Sequence, residues 1–185
     1  MELLDIMKQR HSVRQYQNKK IEENIRAELE ACLAECNEES GLHMQIIYDE
    51  PQCFSTMMAR YGKFSGVTNY IALVGKNTET LEETVGYYGE KLVCVISLGY
   101  GQTQGVPHKN KELKQVCNQE ENQPDWFVKG VKAALLAPTA MNQQKFYFNF
   151  QDNQVSVKSG TGFYTKLDLG IVKYHFEAIS GHKIK

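Results

Sequence analysis

Apolar residues recur along this chain with two different periods, and the switches between them outline its elements. In residues 2–10, Leu3, Leu4 and Met7 share one face of a short helix. In residues 21–36, Ile21, Ile25, Leu29, Cys32, Leu33 and Cys36 keep the 3.6-residue period, with Glu and Arg opposite them. The polar run 37–41 stops this second helix. Residues 43–49 alternate and are β-prone, which predicts a strand. Residues 67–75 and 92–98 are nearly continuous apolar runs and predict two buried strands. Between them, an Asn77/Thr78 cap with Glu in the first turn predicts a helix over 78–88. Residues 99–110 read as a loop, and 111–122 are too polar for a firm assignment. Residues 124–137 predict a helix with Trp126, Phe127, Val131, Ala134 and Leu135 on its apolar face, stopped by Pro138. Strands at 146–150 and 154–158 flank Asp152-Asn153, a hairpin turn pair. A last helix over 167–179 turns Leu169, Val172, Phe176 and Ile179 inward. Helices interleaved with strands and a closing hairpin predict one α+β domain over residues 1–185.

Composition narrows the function classes. A chain of 185 residues with 42% hydrophobic and 23% charged content is that of an ordinary globular protein with a proper core. A net charge of −1 gives no basic field for nucleic acid or an anionic membrane surface. No run is apolar enough to span a bilayer, and residues 1–10 hold acidic residues rather than a signal-type apolar core, so a cytoplasmic protein is expected. The five cysteines, Cys32, Cys36, Cys53, Cys94 and Cys117, show no zinc spacing, and the five histidines form no HExxH, so no metal site is predicted. Cys32 and Cys36 lie one turn apart, as a redox pair would, but are expected to be small buried hydrophobes. Gly99-Tyr100-Gly101-Gln102-Thr103-Gln104-Gly105 has the wrong spacing for a dinucleotide fingerprint.

Two clusters carry candidate chemistry. Arg10-His11-Ser12-Val13-Arg14 places two guanidinium groups and a hydroxyl within five residues. Arginine makes forked, charge-assisted hydrogen bonds to phosphate, and serine adds another donor. The competing reading is a solvated helix end whose cations offset the helix dipole. Far downstream, Ala137-Pro138-Thr139-Ala140-Met141-Asn142-Gln143-Gln144 lies between a helix and a strand. Small side chains there let a planar ring approach the backbone, and Asn and Gln offer both donors and acceptors. An ordinary polar turn is the alternative.

Together the two clusters resemble the FMN-dependent nitroreductase family, in which an opening helix ends R-[HR]-S-V-R and a second stretch reads Ala-Pro-[Ser/Thr]-x-x-Asn-x-Gln. That second stretch lies in the C-terminal half here, as in a rearranged, thermophile-type branch of the family. The closing run from Asp168 to Phe176 is also typical of that branch. The resemblance implies a three-layer α+β fold, with a mixed or antiparallel central sheet flanked by helices, in a homodimer. It implies that Arg10, Ser12 and Arg14 grip the FMN phosphate, with His11 under the flavin or ribityl. Pro138, Thr139, Ala140, Asn142 and Gln144 would lie along the flavin, often that of the partner subunit. Lys109 and Lys111 resemble a basic pair that closes the phosphate site, although a solvated loop explains them equally well. NAD(P)H would reduce the flavin, and a small electron-poor acceptor such as a nitroaromatic or quinone would then take the electrons. Such a scheme needs no protein nucleophile, and no catalytic acid or base is nominated.

The chain departs from the family near Gly89. The pattern normally has a long central helix, a Gly-rich turn and a further strand where residues 86–93 run directly into 94–99. The join Gly-Glu-Lys-Leu-Val suits both sides of such a gap, as an internal deletion between short matching stretches would leave. The lost segment helps build the core, the dimer interface and one wall of the flavin pocket. Three outcomes follow: an FMN enzyme with a more open site, a flavin-binding protein without turnover, or a dimeric remnant that binds no flavin.

Overall fold

Burial of aromatic faces organises the C-terminal half of the chain, as seen in a computed structural model that describes residues 2–52, 54–55, 62–76, 90–107, 109–118 and 123–185. These residues form two compact units, one made of 1–12 with 106–185 and the other of 13–105. No helix among the described residues is long and apolar enough to cross a membrane.

The first unit opens with α1 (Leu3–Gln9) and continues with a 3-10 turn (Leu113–Gln115), α2 (Asp125–Ala134), strands β1 (Phe146–Gln151) and β2 (Gln154–Ser159), and α3 (Thr165–Ser180). The two strands pair antiparallel as the predicted hairpin. Asp152 (φ 51°) and Asn153 (φ 59°) are both left-handed at its tip, the backbone that a two-residue hairpin turn demands. Phe127 of α2, Phe148 of β1 and Phe176 of α3 are all fully buried. The Phe148 and Phe176 rings stack at 4.9 Å, and Phe127 meets Phe176 edge-on at 6.0 Å. Val116 and Cys117 join this core from the polar segment that gave no firm assignment. There Phe148 N–H donates to Val116 O (2.7 Å) and Asn118 N–H to Phe148 O (3.1 Å), so 116–118 lies along β1 as a short extra strand.

Helices α2 and α3 meet across Gly130. A Cβ built there would stand 2.6 Å from the Phe176 ring and 3.0 Å from the Ser180 Cβ. Gly130→Ala is therefore expected to lower unfolding free energy by about 1–3 kcal/mol through overpacking. A urea denaturation curve measures it, and an unchanged midpoint would refute the close helix contact.

The second unit holds a helix over Glu23–Ser40, followed by strands at Gln45–Ile47, Asn69–Lys76 and Glu90–Leu98. We label this helix αN and the strands βA, βB and βC. They form an antiparallel sheet in the order βA-βB-βC. αN runs one turn further than the polar residues suggested, and left-handed Gly41 (φ 65°) ends it. Its expected apolar face is rotated. Arg26 donates to Asp49 Oδ2 (3.1 Å), while the Asn37 side chain bonds both N–H and O of Met44 (2.7 and 2.9 Å). These two anchors turn Ile25, Leu29 and Leu33 to half-buried positions and leave Cys32 and Cys36 exposed, which corrects their expected burial.

βC also departs from expectation. Leu92, Val93 and Ile96 are exposed, so residues 92–98 are not a buried strand. Among the described residues βC pairs only with βB and sits at the end of the sheet. Leu73 faces Cys94 while Val74 faces Leu92, which leaves Val93 as the extra residue of a β-bulge. βB is half-buried along most of its length, with Asn69 and Ala72 inside. The helix expected over 78–88 lies outside the described residues, as do Cys53 and His108.

Candidate functional site

The C-terminal end of α1 delivers the first cluster. Arg10 caps the helix through its backbone N–H to Ile6 O (2.9 Å) and then leaves in an extended conformation. Its guanidinium is half-buried, and that loss of solvent pulls its pKa below the ordinary arginine value. A neighbouring anion would favour the charged form again. His11 is half-buried, and Ser12 is exposed. Arg14 is exposed and belongs to the second unit.

The second cluster follows α2. Ala137 N–H still bonds back to Ala134 O (3.1 Å), Pro138 follows, and Thr139 is extended. A single 3-10 turn over Ala140–Asn142 then carries Met141 (φ 53°) and Asn142 (φ 52°) into the left-handed region, and Gln144 (φ 44°) joins them. Side chains other than glycine adopt this backbone only at a cost, and runs of it gather where surrounding contacts over-determine the chain.

Those contacts are visible residue by residue. Gln144, at 1% exposure, accepts Lys111 N–H on Oε1 (2.8 Å) and donates from Nε2 to Asn142 Oδ1 (3.0 Å) and Lys109 O (3.2 Å). Asn142 Nδ2 also donates to Lys109 O (2.9 Å), and Thr139 Oγ1 accepts Gln144 N–H (3.1 Å). The Lys111 ammonium donates to Gln144 O (2.8 Å). Lys109, Lys111, Thr139, Asn142 and Gln144 are thus one hydrogen-bonded clasp. The amides of Asn142 and Gln144, expected to face a ring, point to protein partners instead. Of the basic pair, Lys111 spends its ammonium on the loop, whereas Lys109 is exposed.

Two residues that sequence reasoning did not place in the site complete the loop. Buried Asp168, in the first turn of α3, accepts Ala140 N–H on Oδ1 (2.9 Å) and Gln143 Nε2–H on Oδ2 (2.7 Å). Gln143 Nε2 also donates to Phe163 O (2.7 Å). A signal for Asp168 was present: it lies on the same helical stripe as Val172 and Phe176, where an unpaired carboxylate is costly. Gln143 gave none, because any residue type satisfies its position in the motif. Around the loop, Met141 is 83% exposed and Phe163 62% exposed.

A family described as "Putative TM nitroreductase" matches the chain over two stretches, residues 2–94 and 90–180. One stretch contains Arg10–Arg14 and the other contains Pro138–Gln144. They share residues 90–94, which overlap the join read from the sequence at 89–93 and include Val93, where βC bulges. A solved structure of a nitroreductase from Thermotoga maritima, itself titled putative, has a similar fold at 18% identity and a TM-score of 0.63. The similarity covers 97% of this chain but 83% of that one, so the neighbour has additional chain. No curated protein matches.

Proposed function

We propose, for a chain that belongs to this nitroreductase family, an FMN-dependent oxidoreductase that uses NAD(P)H to reduce nitroaromatics, quinones or similar electron-poor acceptors. Family membership supports the oxidoreductase class, and the observation that carries the reading is the match across both candidate clusters. The residues present fit a phosphorylated planar cofactor. Ser12, Arg14 and Lys109 are exposed donors, and half-buried Arg10 gains from an adjacent anion. Arg10 and Ser12 would hold the phosphate, with Lys109 closing over it and His11 beneath the ribityl; Arg14, which the resemblance also assigns to that grip, belongs to the second unit. Pro138, Thr139 and Ala140 would lie along the ring. Asn142, Gln144 and Lys111 would act by shaping that loop rather than by touching the ring with their side chains. The bound flavin supplies the hydride-accepting ring between NAD(P)H and the acceptor. The protein's share is orientation of that ring and an open face for two reactants in turn. We place this chemistry in a cytoplasmic homodimer of three-layer subunits, since a site completed by a second copy would replace part of the missing wall.

Purified protein reconstituted with FMN should turn yellow, and anaerobic NADH or NADPH should bleach it. A colourless protein sinks the flavin reading. A yellow protein that neither nucleotide bleaches leaves the second reading, a flavin binder without turnover, which the exposed apolar residues of βC at the join favour.

A further inference from the structure

We propose that Asp168 is a positioning residue for the flavin-facing loop, acting through Ala140 and Gln143; this rests on the FMN reading above. Its two carboxylate oxygens take one backbone and one side-chain N–H from a single turn, at 2.9 and 2.7 Å. The arrangement is unusual for an acid in a first helical turn, which ordinarily serves its own helix. Here the carboxylate, 6% exposed, reaches from the buried stripe of α3 to another segment. Gln143 then carries the connection onward, because its second amide hydrogen reaches Phe163 O (2.7 Å) just before α3 begins. Lys111 and Gln144 clamp the far end of the same turn. Between the two clamps stand left-handed Met141 and Asn142, with left-handed Gln144 at the second clamp. A peptide with that backbone relaxes when either end is released. Asp168 therefore fixes the direction of the Pro138–Ala140 backbone, the part of the loop proposed to lie along the ring. It touches neither cofactor nor substrate, and its effect on the flavin passes through the loop.

The experiment uses Asp168→Ala and Asp168→Asn in the full chain, with amide hydrogen exchange over residues 138–144 and flavin titration as readouts. Asp168→Ala should speed exchange in that segment while exchange in the β1–β2 hairpin stays slow, and should weaken FMN binding about tenfold or more. At saturating FMN, the visible spectrum and midpoint potential of the bound flavin should still differ from those of the unaltered protein, which a purely structural loss would not produce. Asp168→Asn keeps one acceptor oxygen for Ala140 N–H and should recover part of each effect, so a misfolded alanine variant does not end the test. Unchanged exchange at 138–144 in both variants overturns the clamp. Faster exchange with an unaltered flavin spectrum, potential and affinity overturns the positioning role. If the unaltered protein takes up no FMN, the flavin reading falls and with it the role assigned to Asp168, while exchange separately reports whether the clamp exists.

Discussion

Phe176→Ala is expected to remove about 3–5 kcal/mol of stability, the cost of a buried phenyl truncated where neighbours cannot close the gap. The ring is fully buried, stacked on Phe148, met edge-on by Phe127, and pressed against the bare backbone of Gly130. Phe127 and Gly130 belong to α2 and Phe148 to β1, so collapse into the cavity would require both elements to shift toward α3. A urea denaturation series gives the loss directly. Phe163→Ala provides the contrast: that ring is 62% exposed, and its removal should change stability by no more than about 0.5 kcal/mol. Equal losses from the two substitutions would mean that the aromatic core is misplaced. The functional consequence follows from position. Asp168 lies two turns upstream of Phe176 on α3, so a loosened α3 also loosens the carboxylate that holds Ala140 and Gln143.

The same aromatic core shows what was legible in the sequence. The faces of α2 and α3 followed from periodicity because several large apolar residues in each define one direction without competition. The hairpin followed from Asp152-Asn153, since few residue pairs tolerate two left-handed positions. By contrast, Val116 and Cys117 sit among polar residues, and only their pairing with distant Phe148 buries them. αN misled for a related reason. Its three long apolar residues set a weak direction, and polar anchors at Arg26 and Asn37 decided the rotation. βC reads as buried in a sheet with strands on both sides. Among the described residues it has one neighbour, and the two family-matched stretches meet within it. The candidate site was half legible. Its residue positions came from the motif, but the division of labour did not, because motif spacing is silent on which amides bind ligand and which bind backbone. Gln144 and Lys111 are the clearest cases.

That division makes the phosphate grip separable from the loop, and the double substitution Arg10→Ala with Ser12→Ala exploits it. Arg10 stabilises α1 through its backbone N–H, which alanine retains, and Ser12 is exposed, so the fold should survive. FMN should bind about 100-fold or more weakly, corresponding to the loss of two hydrogen bonds to a charged group at roughly 1.5–3 kcal/mol each. Riboflavin, which lacks the phosphate, should bind the altered and unaltered proteins alike. The comparison therefore separates loss of a phosphate contact from general damage to the pocket. Lys109→Ala should reproduce a smaller part of the same phosphate-specific loss, because its ammonium is placed in solvent rather than in the clasp. Lys111→Ala should instead weaken FMN and riboflavin together, since its ammonium holds the Gln144 carbonyl. Isothermal titration with both flavins distinguishes these patterns. Undiminished FMN affinity in the Arg10/Ser12 variant would remove the phosphate from the end of α1 and return that cluster to the role of a charged helix terminus.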